Sequence, residues 1–181
     1  MKIELYDSLT YIHGFRSSFD KTKPKVQILS QIGRVDGPQI DYEADTLTQI
    51  EEKICSYSSA DFLVGTSMGG WMAAHHGIKY GLPFVAINPV TDPQNQFVGK
   101  HLKQADDYYP FPTEGERCGL ILLDEGDEVF DSRTTHERLE KAYRVEMFPQ
   151  GTHRFEHMQD ALKSIKRFLE CDTLCYGLTP E

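Results

Sequence analysis

The chain has 181 residues, 39% of them hydrophobic and 26% charged, with a formal net charge of −9. That length suits a single domain with a full core, and the negative charge, with no Lys/Arg cluster to offset it, removes the attraction on which nucleic-acid binding depends. No apolar stretch approaches the roughly 18 residues of a membrane span, and acidic Glu4 and Asp7 stand where a secretory signal would carry its apolar segment, so a cytoplasmic protein is expected.

The run Leu9-Thr10-Tyr11-Ile12 is β-prone and stops at the polar loop His13-Gly14-Phe15-Arg16-Ser17-Ser18. Pro24 can open a helix over 25–32 that Gly33 ends, and Gln39-Ile40-Asp41-Tyr42 reads as a weak next strand. Leu47, Ile50 and Ile54 recur at helical spacing within 43–57. A strand over 61–66 and a helix over 68–80, stopped by Gly81, come next. Phe84-Val85-Ala86-Ile87 is a continuous apolar run suited to a buried parallel strand and ends at Asn88-Pro89.

From 91 to 117 the chain turns polar and aromatic, with Pro93, Pro110, Pro112 and the doublet Tyr108-Tyr109, and is read as an inserted lid. Gly119-Leu120-Ile121-Leu122-Leu123-Asp124 restores a buried-strand pattern. A helix over 132–141, an alternating strand over 144–148 and a closing helix over 155–169 complete the order. Strands alternating with helices predict one α/β domain over 1–181: a three-layer α/β/α sandwich around a mostly parallel sheet, with ligands at the carboxyl ends of the strands.

Gly65-Thr66-Ser67-Met68-Gly69 sits between a predicted strand and a predicted helix. This is the pattern of a nucleophile elbow, in which a serine oxygen is presented at a tight turn and glycines two positions either side let strand and helix approach. An unassisted hydroxyl is a poor nucleophile near neutral pH, so Ser67 needs a base. Among seven histidines, His153 lies after the strand 144–148 and before the last helix, where such a base belongs. A carboxylate after the preceding strand would hold the imidazole tautomer. Asp127 is the first choice, with Asp124 and Asp131 as alternatives. Ser67, Asp127 and His153 follow the nucleophile, acid, base order of α/β-hydrolases. The amides of Met68, at the helix start, and of Phe15, in the bend after the first strand, are the expected oxyanion-hole donors. His13 is expected to shape that loop.

Other readings compete. Ser67 could cap a helix in an anion-binding turn, and His153 could be a solvated loop histidine. Tyr108 and Tyr109 could line an acyl pocket or pack the lid down. His153-Arg154-Phe155-Glu156-His157 fits the H-x-x-E-H zinc pattern, although the first histidine is expected in a loop. Cys55, Cys118, Cys171 and Cys175 lack the paired spacing of a zinc site and are expected as thiols; the Cys171–Cys175 spacing leaves a redox pair open. The leading reading calls for no metal and no cofactor.

Thr10-Tyr11-Ile12-His13-Gly14-Phe15-Arg16-Ser17-Ser18, Gly65-Thr66-Ser67-Met68-Gly69-Gly70, Ile87-Asn88-Pro89 and Gly126-Asp127-Glu128-Val129 together make the chain resemble the YqiA/YcfP-like family of small bacterial α/β-hydrolases. The resemblance spans about 11–168 and implies a compact hydrolase fold with few accessory strands. It also implies esterase activity on a small-molecule acyl ester or thioester, with Ser67, Asp127 and His153 at the catalytic positions. Some YcfP-type relatives lack the elbow serine; this chain keeps it. An acyltransferase using the same residues and a binding protein on the same scaffold are the alternatives. Oligomeric state is not legible in the sequence.

Overall fold

The structure, a computed structural model, describes residues 7–57, 60–97, 102–113 and 118–172. His101, Cys175 and the side chain of Cys171 lie outside the described part. Six strands form one sheet: β1 (Ser8–Ile12), β2 (Arg34–Asp36), β3 (Phe62–Thr66), β4 (Phe84–Ile87), β5 (Gly119–Asp124) and β6 (Arg144–Phe148). They stand in the order β2-β1-β3-β4-β5-β6, and every neighbouring pair is parallel. Between them run α1 (Pro24–Leu29), α2 (Leu47–Cys55), α3 (Met68–Tyr80), α4 (Pro93–Gln96) and α5 (Ser132–Leu139), with α6 (Met158–Asp172) at the end. Among the described residues, no helix is long and apolar enough to cross a membrane.

Side-chain alternation divides the apolar strands between two cores. Leu63, Phe84, Ala86, Ile121 and Leu123 face α2, α3 and α5, where Ile50, Ile54, Trp71 and Leu139 are buried. Phe62, Val64, Val85, Ile87, Leu120 and Leu122 face α1 and α6, against Val26, Leu29, Ala161 and Ile165. A strand buried on both faces has no polar side to show, which is why the sequence of β3 to β5 is nearly continuous in apolar residues. At roughly 2 kcal/mol for each large apolar side chain removed from water, these two clusters supply the main driving force for the three layers. Helix α2 is also held locally: the Gln49 amide donates to Thr46 Oγ1 (3.2 Å) and the Thr46 amide donates to Gln49 Oε1 (2.9 Å).

The first helix ends at Leu29 and α5 at Leu139, short of the expected 32 and 141, and two elements differ more deeply. The strand next to β1 is Arg34–Asp36 rather than 39–42. The Ile40 amide is committed to His13 Nε2 (3.1 Å), and the Gln39 side chain pairs with the Phe19 backbone, so this segment braces the loop after β1 instead of joining the ladder. The last helix starts at Met158, not at 155, because Phe155 has a positive φ of 58° and the Glu156 amide donates to the Asp124 carboxylate. In the described part of 91–117, Tyr108 and Phe111 are buried, and the Trp71 indole N–H donates to the Tyr109 carbonyl (2.9 Å).

The first crossover leads from β1 outward to β2, and the next returns to β3 on the other side of β1. The loops after β1 and β3 therefore diverge at their carboxyl ends, leaving the crevice in which open α/β sheets bind ligands.

Candidate active site

Ser67 occupies the single residue between β3 and α3, with φ 55° and ψ −120°. A non-glycine residue in such a conformation costs about 1–3 kcal/mol and persists only where its surroundings enforce it. Here the Ser67 amide donates to the Ile87 carbonyl (2.9 Å), while its own carbonyl accepts from Gly70 (2.9 Å) and Val90 (3.2 Å). The turn is tight enough that a Cβ on Gly65 would lie 1.9 Å from the Gly69 carbonyl oxygen, and one on Gly69 would lie 2.1 Å from that of Ile12. The glycines expected from the elbow pattern are thus required by contact between backbones.

His153 sits in the loop between β6 and α6, and its Nε2 lies 3.0 Å from Ser67 Oγ. Its Nδ1 is 2.8 Å from Asp127 Oδ2 and 3.0 Å from Oδ1. An ionised carboxylate only accepts, so Nδ1 carries the proton in the neutral ring and the Nε2 lone pair faces the serine hydroxyl. Asp127 follows β5 and is itself fixed: Oδ1 accepts from the amides of Val129 (2.8 Å) and Phe130 (3.0 Å), and the side chain is only 3% exposed. The Phe130 ring meets the imidazole edge-on at 5.1 Å between centroids. This linear arrangement allows the serine proton to pass to Nε2 as the oxygen attacks an electrophile, with the developing imidazolium beside a buried anion.

The other aspartates have different positions. Asp131 caps α5 by accepting from the Thr134 amide (2.8 Å), and that backbone hydrogen bond lowers its pKa. Asp124, fully buried at the end of β5, accepts from the amides of Thr152 (3.3 Å) and Glu156 (3.0 Å) and from His157 Nδ1 (2.8 Å). It clasps the His153 loop on both sides. His153 and His157 precede α6 and are held by separate aspartates, so they do not present two ligands from one helix face as the H-x-x-E-H reading requires.

Phe15 and Met68 flank the serine, one in the loop after β1 and the other as the first residue of α3. That loop crosses directly over the elbow: a Cβ on Gly14 would lie 3.0 Å from both Ser67 Cβ and the Thr66 carbonyl oxygen. His13 shapes it. Its Nδ1 donates to the Gly14 carbonyl (2.9 Å), its Nε2 accepts from Ile40, and burial lowers its pKa, which favours the neutral ring this pairing needs. A cavity of about 800 Å³ opens beside Ser67 and His153, with Phe15 in its wall. Tyr108 and Tyr109 are not brought to it. Tyr108 is buried against Trp71, and the Tyr109 hydroxyl lies 2.5 Å from His75 Nδ1, so the expected lining role is corrected to packing on α3.

The sequence profile described as "Uncharacterised protein family (UPF0227)" matches residues 8–114. The chain belongs to this family. UPF0227 relatives include a protein of Serratia proteamaculans, 28% identical over 88% of this chain and 97% of its own length. Another, from Vibrio vulnificus, is 26% identical over 90% and 98%. Among solved structures, Est1E from Butyrivibrio proteoclasticus with ferulic acid bound superposes with a TM-score of 0.67 at 15% identity, covering 91% of this chain and 88% of that one. Mouse alpha/beta hydrolase domain-containing protein 10 gives a TM-score of 0.65 at 14% identity, over 90% and 89%. The UPF0227 chain therefore has the α/β-hydrolase fold.

Four residues hold the His153 loop of this UPF0227 protein in roles that sequence reasoning did not assign them. Asn88 donates from Nδ2 to the carbonyls of Thr152 (3.1 Å) and His153 (3.3 Å), while its Oδ1 accepts from the Asp124 amide (2.9 Å). Its place directly after a strand was the available signal. Glu128 accepts from the His153 amide (2.9 Å), and His157 pairs with Asp124. Lys25 reaches the Arg154 carbonyl (2.6 Å) across a long sequence separation that no local pattern reveals.

Proposed function

We propose that this protein is a serine hydrolase acting on small-molecule acyl esters or acyl thioesters. His153 Nε2 takes the Ser67 proton as Oγ attacks the acyl carbon. The tetrahedral oxyanion is held by the amides of Phe15 and Met68, each contributing on the order of 3 kcal/mol to the transition state. The imidazolium, held against Asp127, then gives its proton to the departing alcohol or thiol, and the acyl group remains on Ser67. Water, activated by the same imidazole, releases the acid and restores the hydroxyl.

The observation that carries this reading is the continuous hydrogen-bonded path from Ser67 Oγ to His153 Nε2 (3.0 Å) and from His153 Nδ1 to Asp127 (2.8 Å). The α/β-hydrolase fold, shared with Est1E, supports it. A fluorophosphonate probe is expected to label the purified protein at Ser67, and short-chain nitrophenyl esters to be turned over by the wild type and not by Ser67→Ala. Folded protein that neither takes the label nor turns over any ester in the panel would favour a scaffold that only binds.

A further inference from the structure

The cavity beside Ser67 carries a charge opposite to that of the whole molecule. In a chain of net charge −9, Arg16, Lys23, Lys25 and Arg154 all line it, against one carboxylate, Glu156. Two of the four cations are already engaged: Arg16 pairs with Glu43 (2.9 Å), and Lys23 Nζ donates to the Ser18 carbonyl (2.6 Å) and to the hydroxyls of Ser18 and Ser17. Lys25 is different. It is half-buried at the start of α1, and among the described residues its ammonium group makes one hydrogen bond, to the carbonyl of Arg154, the residue that follows His153. An ammonium has three donors, so two remain to face the cavity. Arg154 itself is exposed beside it.

From this arrangement we infer that the preferred substrate is an acyl ester carrying an anionic group, a carboxylate or a phosphate, which Lys25 and Arg154 hold while Ser67 attacks. The inference rests on the hydrolase reading given above and specifies its substrate class. Lys25 hydrogen-bonds only a neutral carbonyl among the described residues, and burial pushes its pKa down to about 8 although the Asp124 carboxylate acts in the opposite direction. An incoming anion adds opposite charge at the cavity wall and accepts from the remaining N–H donors in charge-assisted hydrogen bonds, whereas a neutral ester offers only weaker acceptors. The remaining wall, including Ile28 and Met158, is apolar and accommodates the hydrocarbon part.

Two matched substrate pairs test this. One sets the nitrophenyl monoester of adipate against nitrophenyl hexanoate, so that the charge sits on the acyl half. The other sets 1-butyrylglycerol 3-phosphate against 1-butyrylglycerol, so that the charge sits on the leaving group. In at least one pair, wild-type kcat/KM is expected to favour the anionic member by about tenfold or more, chiefly through KM, and Lys25→Gln to bring that ratio near unity. Because each ratio is taken within one preparation, any loss common to both esters cancels. Arg154→Gln, at an exposed position, is expected to reduce the same ratio. Equal or better use of the neutral esters by the wild type, or a preference that survives both substitutions, overturns the inference and leaves the hydrolase reading standing. Absence of turnover in all four, together with no labelling of Ser67, removes the hydrolase reading itself.

Discussion

Asp124 and His157 form a second aspartate–histidine couple, Oδ1 to Nδ1 at 2.8 Å, at the end of the same strand that leads to the Asp127–His153 couple. The two pairs do different work. His153 faces the serine, while Asp124 is spent on the backbone amides of Thr152 and Glu156. Removing the carboxylate altogether would leave both part-buried amides without an acceptor. Asp124→Ala is expected to destabilise the protein by about 3 kcal/mol and to loosen the His153 loop, read as a lower urea midpoint together with a fall in kcat.

Asp127→Asn is expected to behave differently. The amide oxygen can still accept from Val129 and Phe130, so the fold is retained, but the side-chain NH₂ favours the wrong imidazole tautomer. The expected result is a drop in kcat of up to about ten-thousandfold with a near-normal thermal midpoint. Near-normal turnover would show that the imidazole is oriented by something else.

Gly69→Ala is expected to prevent the elbow from closing. The added Cβ would meet the carbonyl oxygens of Ile12 at 2.1 Å and His13 at 2.6 Å, both backbone atoms of the strand and loop that carry Phe15. Relief requires α3 to move off β1, with repacking of the core beneath Trp71. A loss of more than about 3 kcal/mol is expected by chemical denaturation. A variant of wild-type stability would mean that the sheet tolerates the shift.

Acid stability is expected to depend on His76. This residue is 4% exposed, its Nδ1 meets no hydrogen-bond partner among the described residues, and burial lowers its pKa from 6.5 to about 4. The unfolded chain therefore binds the proton first as pH falls. Stability is lost progressively between pH 6.5 and 4, in total on the order of 3 kcal/mol from this group. His76→Gln, which cannot titrate, is expected to flatten that part of the profile; an unchanged difference between pH 7 and pH 4 in urea midpoints would contradict it.

Much of this molecule is legible in its sequence because its local signals agree with its topology. β4, β5 and β6 and helix α3 fall at the predicted residues, since long apolar runs and a glycine stop leave few alternatives. Ser67, His153 and Asp127 were reachable from chain order and come together in the fold. The segment 39–42 was not, because side chains elsewhere take its amides: that of Ile40 donates to His13 and that of Asp41 to Asp45. Nor was the start of α6, where Asp124 holds amides that would otherwise open the helix. Tyr108 and Tyr109 were left between lining a pocket and packing for a related reason: aromatic residues in an irregular stretch give no sign of which surface they will cover. The cationic lining of the cavity was equally hidden, since it joins residues near both ends of the chain.

The imidazole of His153 hangs from β6, an edge strand that among the described residues pairs only with β5 and is less buried than it. An outer strand frays before an inner one, and its fraying costs less than global unfolding. Gentle heating should therefore silence the serine while the four inner strands and the helices packed on them still give their full circular dichroism. The useful working temperature of such a molecule would be set by the grip of β5 on β6, not by the melting of its core.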